Sequence, residues 1–153
     1  MWGPNVTENT AQGGVDDVDV KEVWKRLEND PVSLLIDVRT QAEWAFVGFP
    51  DLSSLGKQLL CIEWQLFPGA QPNPAFTSQL ESELAALGAG KDTELFFICR
   101  SGQRSLHSAQ ALKAVGYRAC HNVAGGFEGP VDSKGHRGLV AGWKAVGLPW
   151  VQR

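Results

Sequence analysis

A chain of 153 residues, 43% hydrophobic and 20% charged with a net charge of -3, is large enough to bury a core of its own without a disulfide or metal staple. The mild acidity argues against nucleic acid or an anionic membrane as main partner, and no run nears the ~18 apolar residues of a membrane span. Met1 is followed by Trp-Gly-Pro-Asn rather than a basic and then an apolar segment, so no signal peptide is expected and the cytoplasm is the default compartment. In chain order, residues 1–14 are polar and broken by Gly3, Pro4, Gly13 and Gly14, which predicts a flexible tail ahead of a domain over 15–153. Asp19 is placed to cap a helix whose Val20, Val23, Trp24 and Leu27 share a face, ending near Asn29-Asp30-Pro31. Ser33–Val38 is a short apolar run that predicts a central strand closing on Asp37-Val38-Arg39. Thr40 then caps a helical turn with Glu43 at the capping-box position.

From Trp44 to Gly69 the glycines and prolines interrupt every pattern, and Cys61–Trp64 is the best strand candidate. A helix is predicted from Asn73-Pro74, with proline at its first position, Phe76, Leu80, Leu84 and Leu87 along one stripe, and Gly88 and Gly90 as its stop. Leu95–Ile98 is continuously apolar, as suits a strand buried on both faces. A helix follows from Gln103 to Val115, then a strand over Arg118–Val123, a turn-rich loop over Gly125–Pro130 and a last helix over Gly138–Val146 with Leu139, Trp143 and Val146 on one side. Strands alternating with helices imply βαβ units and a parallel sheet covered on both faces, with ligands bound beyond the strands' carboxyl ends.

The change of character at Cys99 organises the functional reading. A thiol at the carboxyl end of a strand, facing the amino end of a helix, meets unpaired N–H groups and the positive end of the helix dipole. Arg100 and Arg104 add cations, and Ser101, Gly102 and Ser105 let the backbone turn tightly. Such a setting favours thiolate, the nucleophilic form, so Cys99-Arg100-Ser101-Gly102-Gln103-Arg104 reads as an anion cradle around a reactive sulfur. Cys61 and Cys120 lack both features and read as inert core thiols, and the three irregularly spaced cysteines show no C-x-x-C metal spacing and read as reduced thiols. Asp37 and Arg39 read as a structural ion pair. His107, His121 and His136 read as solvated surface groups, Trp24 and Trp143 as core, and Trp44, Trp64 and Phe127 as candidates for the rim of the site.

Taken in order, Asp37-Val38-Arg39, the Cys99–Ser105 loop and Asn122-Val123-Ala124-Gly125-Gly126-Phe127 make the chain resemble single-domain bacterial rhodaneses over roughly 18–150. The resemblance implies an α/β three-layer sandwich around a five-stranded parallel sheet. It implies a sulfurtransferase in which Cys99 carries a sulfane sulfur as a persulfide, with no cofactor and no metal. Arg100, Ser101, Gly102, Gln103 and Arg104 match that family's active-site loop. The implied partners are a small sulfur-containing anion such as thiosulfate and a thiophilic acceptor, cyanide or a thiol, including a protein thiol in a relay. Two departures stand out: Val47-Gly48-Phe49-Pro50-Asp51-Leu52 replaces the Gly-His-Ile-Pro-Gly-Ala segment of many members, and an extension bearing Gly135-His136-Arg137-Gly138, Trp143 and Trp150 follows the last motif. Two rival readings are a binding module without turnover and a cysteine-dependent phosphatase or arsenate reductase. The phosphatase loop is longer by one residue than the four residues separating Cys99 from Arg104, and the shorter ring suits a single sulfur better than a phosphoryl group.

Overall fold

The computed structural model describes residues 14–153, so the expected tail lies, apart from Gly14, outside the described residues. Two continuously apolar segments build the middle of the sheet: β2 (Leu34–Asp37) and β7 (Leu95–Ile98) pair in parallel with Asp37 opposite Ile98. On the far side of β7 runs β8 (Cys120–Ala124), then β1 (Asp16–Asp19), while β4 (Leu60–Cys61) edges β2. The order β1-β8-β7-β2-β4 is parallel throughout, the five-stranded parallel sheet that the family resemblance implies.

Alternation along the central strands sorts their side chains into two cores. Ile36, Leu95, Phe97 and Cys99 face α3 (Phe76–Ala86) and α4 (Gln103–Ala114), where Phe76, Leu80, Leu84, Ala109 and Leu112 are buried. Leu35, Phe96 and Ile98 face α1 (Val20–Asn29), which contributes Val20, Val23 and Leu27, and Trp143 of the carboxyl-terminal segment. Trp24 packs partly buried here, edge-on to Trp143 at 5.9 Å. Asp19 caps α1 by accepting the Lys21 N–H at 3.0 Å, and Thr40 with Glu43 closes a full capping box on α2 (Gln41–Phe46).

Several boundaries and elements differ from expectation. The acidic Asp-Asp-Val-Asp of β1 carries no strand signature because it is an edge strand with only Val18 buried. The expected strand over Cys61–Trp64 forms instead as Leu60–Cys61, β8 is Cys120–Ala124, and α3 opens at Phe76 because the Asn73 side chain takes the Ala75 N–H and holds Pro74 in a turn. The irregular stretch holds β3 (Phe49–Pro50), a 3-10 turn at Ser53–Leu55 and β5 (Gln65–Leu66), which forms a small hairpin with β6 (Gln71–Pro72).

The helix expected over Gly138–Val146 does not form. Gly142 takes φ +101, and a Cβ there would lie 2.8 Å from the Gly126 carbonyl oxygen. Trp143 and Lys144 donate their N–H groups to Gly126 and Phe127 instead of to a helical turn. Leu139 stays exposed while Trp143 is fully buried. The segment then returns as β9 (Trp150–Val151), antiparallel to β3, so the extension covers the α1 face of the sheet rather than forming a separate helix. Among the described residues no helix is long and apolar enough to cross a membrane.

Candidate active site

Strand β7 ends at Ile98 and delivers Cys99 to a loop that is closed at once by α4, whose cap is Gly102 at φ +121. Only 1% of Cys99 is exposed, yet its sulfur is not sealed in hydrocarbon. Gly102 N–H reaches Sγ at 3.1 Å and the Ser105 hydroxyl at 3.2 Å. A cavity of ≈ 260 Å³ opens on it, lined by Gln65, Arg100, Ser101, Gln103 and Arg104. The N–H groups of the first turn of α4, at Gln103 and Arg104, have no intrahelical acceptor, which leaves this mouth electropositive. The Cys99–Ser105 motif of the sequence is thus gathered around one sulfur atom.

The glycine-rich segment after β8 supports the loop from below. Phe127 N–H donates to the Cys99 carbonyl at 2.8 Å, and Glu128 and Gly129 N–H groups both donate to the Arg100 carbonyl. This approach is so close that a Cβ on Gly126, at φ +65, would sit 2.6 Å from both the Cys99 and the Arg100 carbonyl oxygens. Backbone cannot yield there as a flexible side chain would. Gly126→Ala is expected to cost at least about 2 kcal/mol and to push the loop off its sulfur, read as a lower denaturant midpoint together with slower alkylation of Cys99.

Arg104 is committed to a partner that local sequence does not reveal. Its two guanidinium arms donate to Glu43 of α2 at 2.7 and 2.9 Å, so its charge is neutralised beside the cavity. Arg100, by contrast, is exposed at the mouth. Burial pushes the Glu43 carboxyl up, but the hydrogen bonds and charge of Arg104 and the Thr40 cap outweigh it, and its pKa lies below the ordinary carboxylate value. A carboxyl depressed in the folded state adds stability that is complete above its unfolded pKa and disappears as pH falls through the folded one. The melting temperature of the wild type is therefore expected to fall between pH 5 and pH 3 by more than that of Glu43→Gln, which has no such charge to lose.

Asp37 and Arg39 form the ion pair that the sequence suggested, both at 0% exposure, with the guanidinium donating to the carboxylate at 2.7–3.2 Å. Arg39 also donates to the Gly48 carbonyl and lies 4.3 Å above the Phe127 ring. The three candidate rim aromatics are not at the mouth. Phe127 is buried beneath Arg39, Trp64 packs edge-on to Phe76 at 5.0 Å, and Trp44 lines a separate cavity with Cys61 and Glu63. The apolar bodies suited the burial they found, and only chain order had placed them near the site.

Of the remaining thiols, Cys120 is a core residue, whereas Cys61 is exposed on the β4 edge rather than buried. Although the Cys61 residue lies on an exposed edge, desolvation at its thiol together with the Asp37 carboxylate pushes it up to about 12, and burial pushes Cys120 up to about 11, so both stay protonated at neutral pH. His107 and His136 are exposed. His121 is not: its Nδ1 meets the Asp16 carboxylate, its other nitrogen lies 3.7 Å from Glu94, and its ring stacks on Phe96. The β1–β8 pairing that places Asp16 opposite His121 was invisible without β1. Asn122, Asp17 and Glu43 are the residues at the site that the sequence reading did not assign to it. Among the described residues no cluster of His, Cys, Asp and Glu could hold a metal ion.

The central strand of a parallel α/β sheet thus presents one thiol to an amide-lined, arginine-flanked loop. Residues 19–131 match the family described as rhodanese-like domain. In Mycobacterium tuberculosis, Rv0390 is 40% identical in sequence, its crystal structure superposing with a TM-score of 0.81 over 90% of this chain and 97% of that one. An uncharacterized protein of Rickettsia rickettsii, the RP600 homolog, is 37% identical over 118 residues, 77% of this chain and 82% of its own length. A protein named sulfurtransferase in Allochromatium vinosum is 27% identical over 137 residues, covering 90% of this chain and 95% of that protein. The chain belongs to the rhodanese-like family.

Proposed function

We propose that the protein is a sulfurtransferase that moves a sulfane sulfur from a donor such as thiosulfate to a thiophilic acceptor through a persulfide on Cys99. The observation that carries this reading is the pair of donors on the sulfur, Gly102 N–H at 3.1 Å and Ser105 hydroxyl at 3.2 Å, at the head of α4. In the first half-reaction the Cys99 thiolate forms a bond to the outer sulfur of thiosulfate. The sulfur–sulfur bond to the sulfonate breaks, and its electron pair leaves with sulfite. In the second, cyanide or a thiolate attacks the outer sulfur of the persulfide, and the electron pair of the broken bond returns to Cys99. Neither half needs a proton when the acceptor is an anion, which removes the need for a general base. The N–H groups of the loop stabilise the terminal sulfur of the persulfide, and charge-assisted hydrogen bonds stabilise sulfite as it departs.

We assign anion contact to Arg100 rather than to Arg104. Arg104 is held by Glu43 and shapes the wall, whereas Arg100 stands exposed at the opening. Arg100→Ala is expected to raise the thiosulfate KM about tenfold or more with a smaller change in kcat, in line with the loss of one charge-assisted contact. Thiocyanate formation from thiosulfate and cyanide by the purified protein tests the reading, and its absence together with no persulfide on Cys99 would refute it.

A second reading, a relay that receives from or delivers to a larger thiol, is favoured by one feature. Beside the Cys99 cavity lies a groove of ≈ 590 Å³ that shares Gln65, Arg100 and Arg104 with it and is walled by Leu66, Phe67 and Pro68 of the β5–β6 hairpin and by Arg137. Phe67 is 63% exposed there. Such a groove far exceeds what cyanide or sulfite needs. Ready persulfide loading beside slow thiocyanate turnover would select the relay.

A further inference from the structure

The Cys99 sulfur sits at one end of a hydrogen-bond chain that runs back through the sheet to β1. Asn122 of β8 is 5% exposed, and its side-chain nitrogen donates to the Asp17 carboxylate at 2.9 Å and to the Gly102 carbonyl at 3.2 Å. Both partners are acceptors only, so the orientation of the amide is fixed: nitrogen toward Asp17 and Gly102, oxygen toward Ser105. The Ser105 hydroxyl lies within hydrogen-bond distance of two acceptors at once, the Asn122 oxygen and the Cys99 sulfur. A hydroxyl has one proton to give. Ser105 is itself fully buried, so no solvent molecule relieves the shortage from its own side.

We propose that Asn122 is a positioning residue for the chemistry of Cys99: its side-chain carbonyl and the Cys99 sulfur compete for the single hydroxyl proton of Ser105, so the hydroxyl turns to the sulfur when the sulfur is charged and to Asn122 when it is not. With a protonated thiol, the Ser105 hydroxyl donates to Asn122, and its oxygen is open to the S–H. When that proton departs to solvent, the hydroxyl rotates onto the thiolate and the Asn122 oxygen loses its donor. The Asn122 oxygen therefore opposes ionisation. One step further rests on the sulfurtransferase reading. In the persulfide the charge moves to the outer sulfur, the inner sulfur becomes a poor acceptor, and the Ser105 proton returns to Asn122. Asn122 thus favours the loaded over the empty form of the enzyme.

The charged and titratable groups around this chain are Asp17 on β1 and His107 on α4 beside Asn122, Arg100 and Arg104 at the Cys99 cavity, Glu43 of α2 on Arg104, the Asp37–Arg39 pair at the end of β2, and His121 next to Asn122 along β8. A double-mutant cycle holds them all constant. The readout is the pH midpoint of Cys99 alkylation by iodoacetamide, followed by peptide mass spectrometry so that Cys61 and Cys120 are counted separately. Asn122→Ala frees the Ser105 proton for the sulfur and is expected to lower the midpoint by about one pH unit, the size of one charge-assisted hydrogen bond. Ser105→Ala is expected to raise it by about as much. The double variant is expected to match Ser105→Ala alone, because Asn122 acts through that hydroxyl.

A role for Asn122 limited to pinning the loop gives a different result: the midpoint rises or stays in Asn122→Ala, and the two single effects add in the double variant. Either outcome overturns the proposal. The wild type offers a check that needs no variant. The carbon resonance of the Asn122 side-chain carbonyl is expected to titrate with the alkylation midpoint of Cys99, and a resonance that stays fixed through that pH also overturns it. None of these readouts uses sulfur transfer, so the toggle can fail while the sulfurtransferase reading stands, and the reverse.

Discussion

Cys99→Ala is expected to lose sulfur transfer entirely, with kcat/KM down by at least about a thousandfold, while the melting temperature stays within a few degrees of the wild type. The loss is complete because no second thiol can substitute. Cys61 and Cys120 are held protonated at neutral pH, with pKa values near 12 and 11. The fold survives because the residue is small and the deleted atom faces a polar cavity as well as the core. Ser105 keeps Asn122 as its acceptor when the sulfur is gone. Kinetics and a thermal melt on the same preparation check both halves. Activity within tenfold of the wild type would remove Cys99 from the chemistry.

The largest expected loss of stability comes from the other end of the site. Asp37→Ala leaves the Arg39 guanidinium at 0% exposure without its carboxylate, and an uncompensated buried charge of this kind costs about 3–5 kcal/mol. For a domain of this size that lowers the melting temperature by about 10 °C. The consequence reaches Cys99 because Arg39 lies over Phe127, and Phe127 N–H holds the Cys99 carbonyl at 2.8 Å. Removing both charges, as Asp37→Leu with Arg39→Met, is expected to recover much of the loss, since it leaves no unpaired charge. A melting temperature for Asp37→Ala within about 2 °C of the wild type would show that Arg39 finds another partner or water.

The parts of this site that were legible in the sequence are local. An apolar run of strand length, a thiol, a glycine turn and a helix period occupy consecutive positions from Leu95 to Val115, and local rules suffice to read them. The capping box of Thr40 and Glu43 is legible for the same reason. Its second task is not, because the Glu43–Arg104 pair spans 61 positions and exists only once α2 and α4 meet at the carboxyl edge of the sheet. Asp17 and Asn122 are separated by 105 positions and depend on an edge strand whose acidic sequence conceals it. The misplaced helix over Gly138–Val146 shows the opposite failure. Periodicity was present, but Gly142 is needed with a positive φ against the glycine-rich loop, and tertiary contact overrode local preference.

The most direct test of the proposed chemistry is the intact mass of the protein after exposure to thiosulfate, followed by localisation of any added mass. A persulfide mechanism predicts a gain of one sulfur on the peptide bearing Cys99, lost on treatment with cyanide and absent from Cys99→Ala. An unchanged mass, or a sulfur carried on the Cys61 or Cys120 peptide instead, would contradict it.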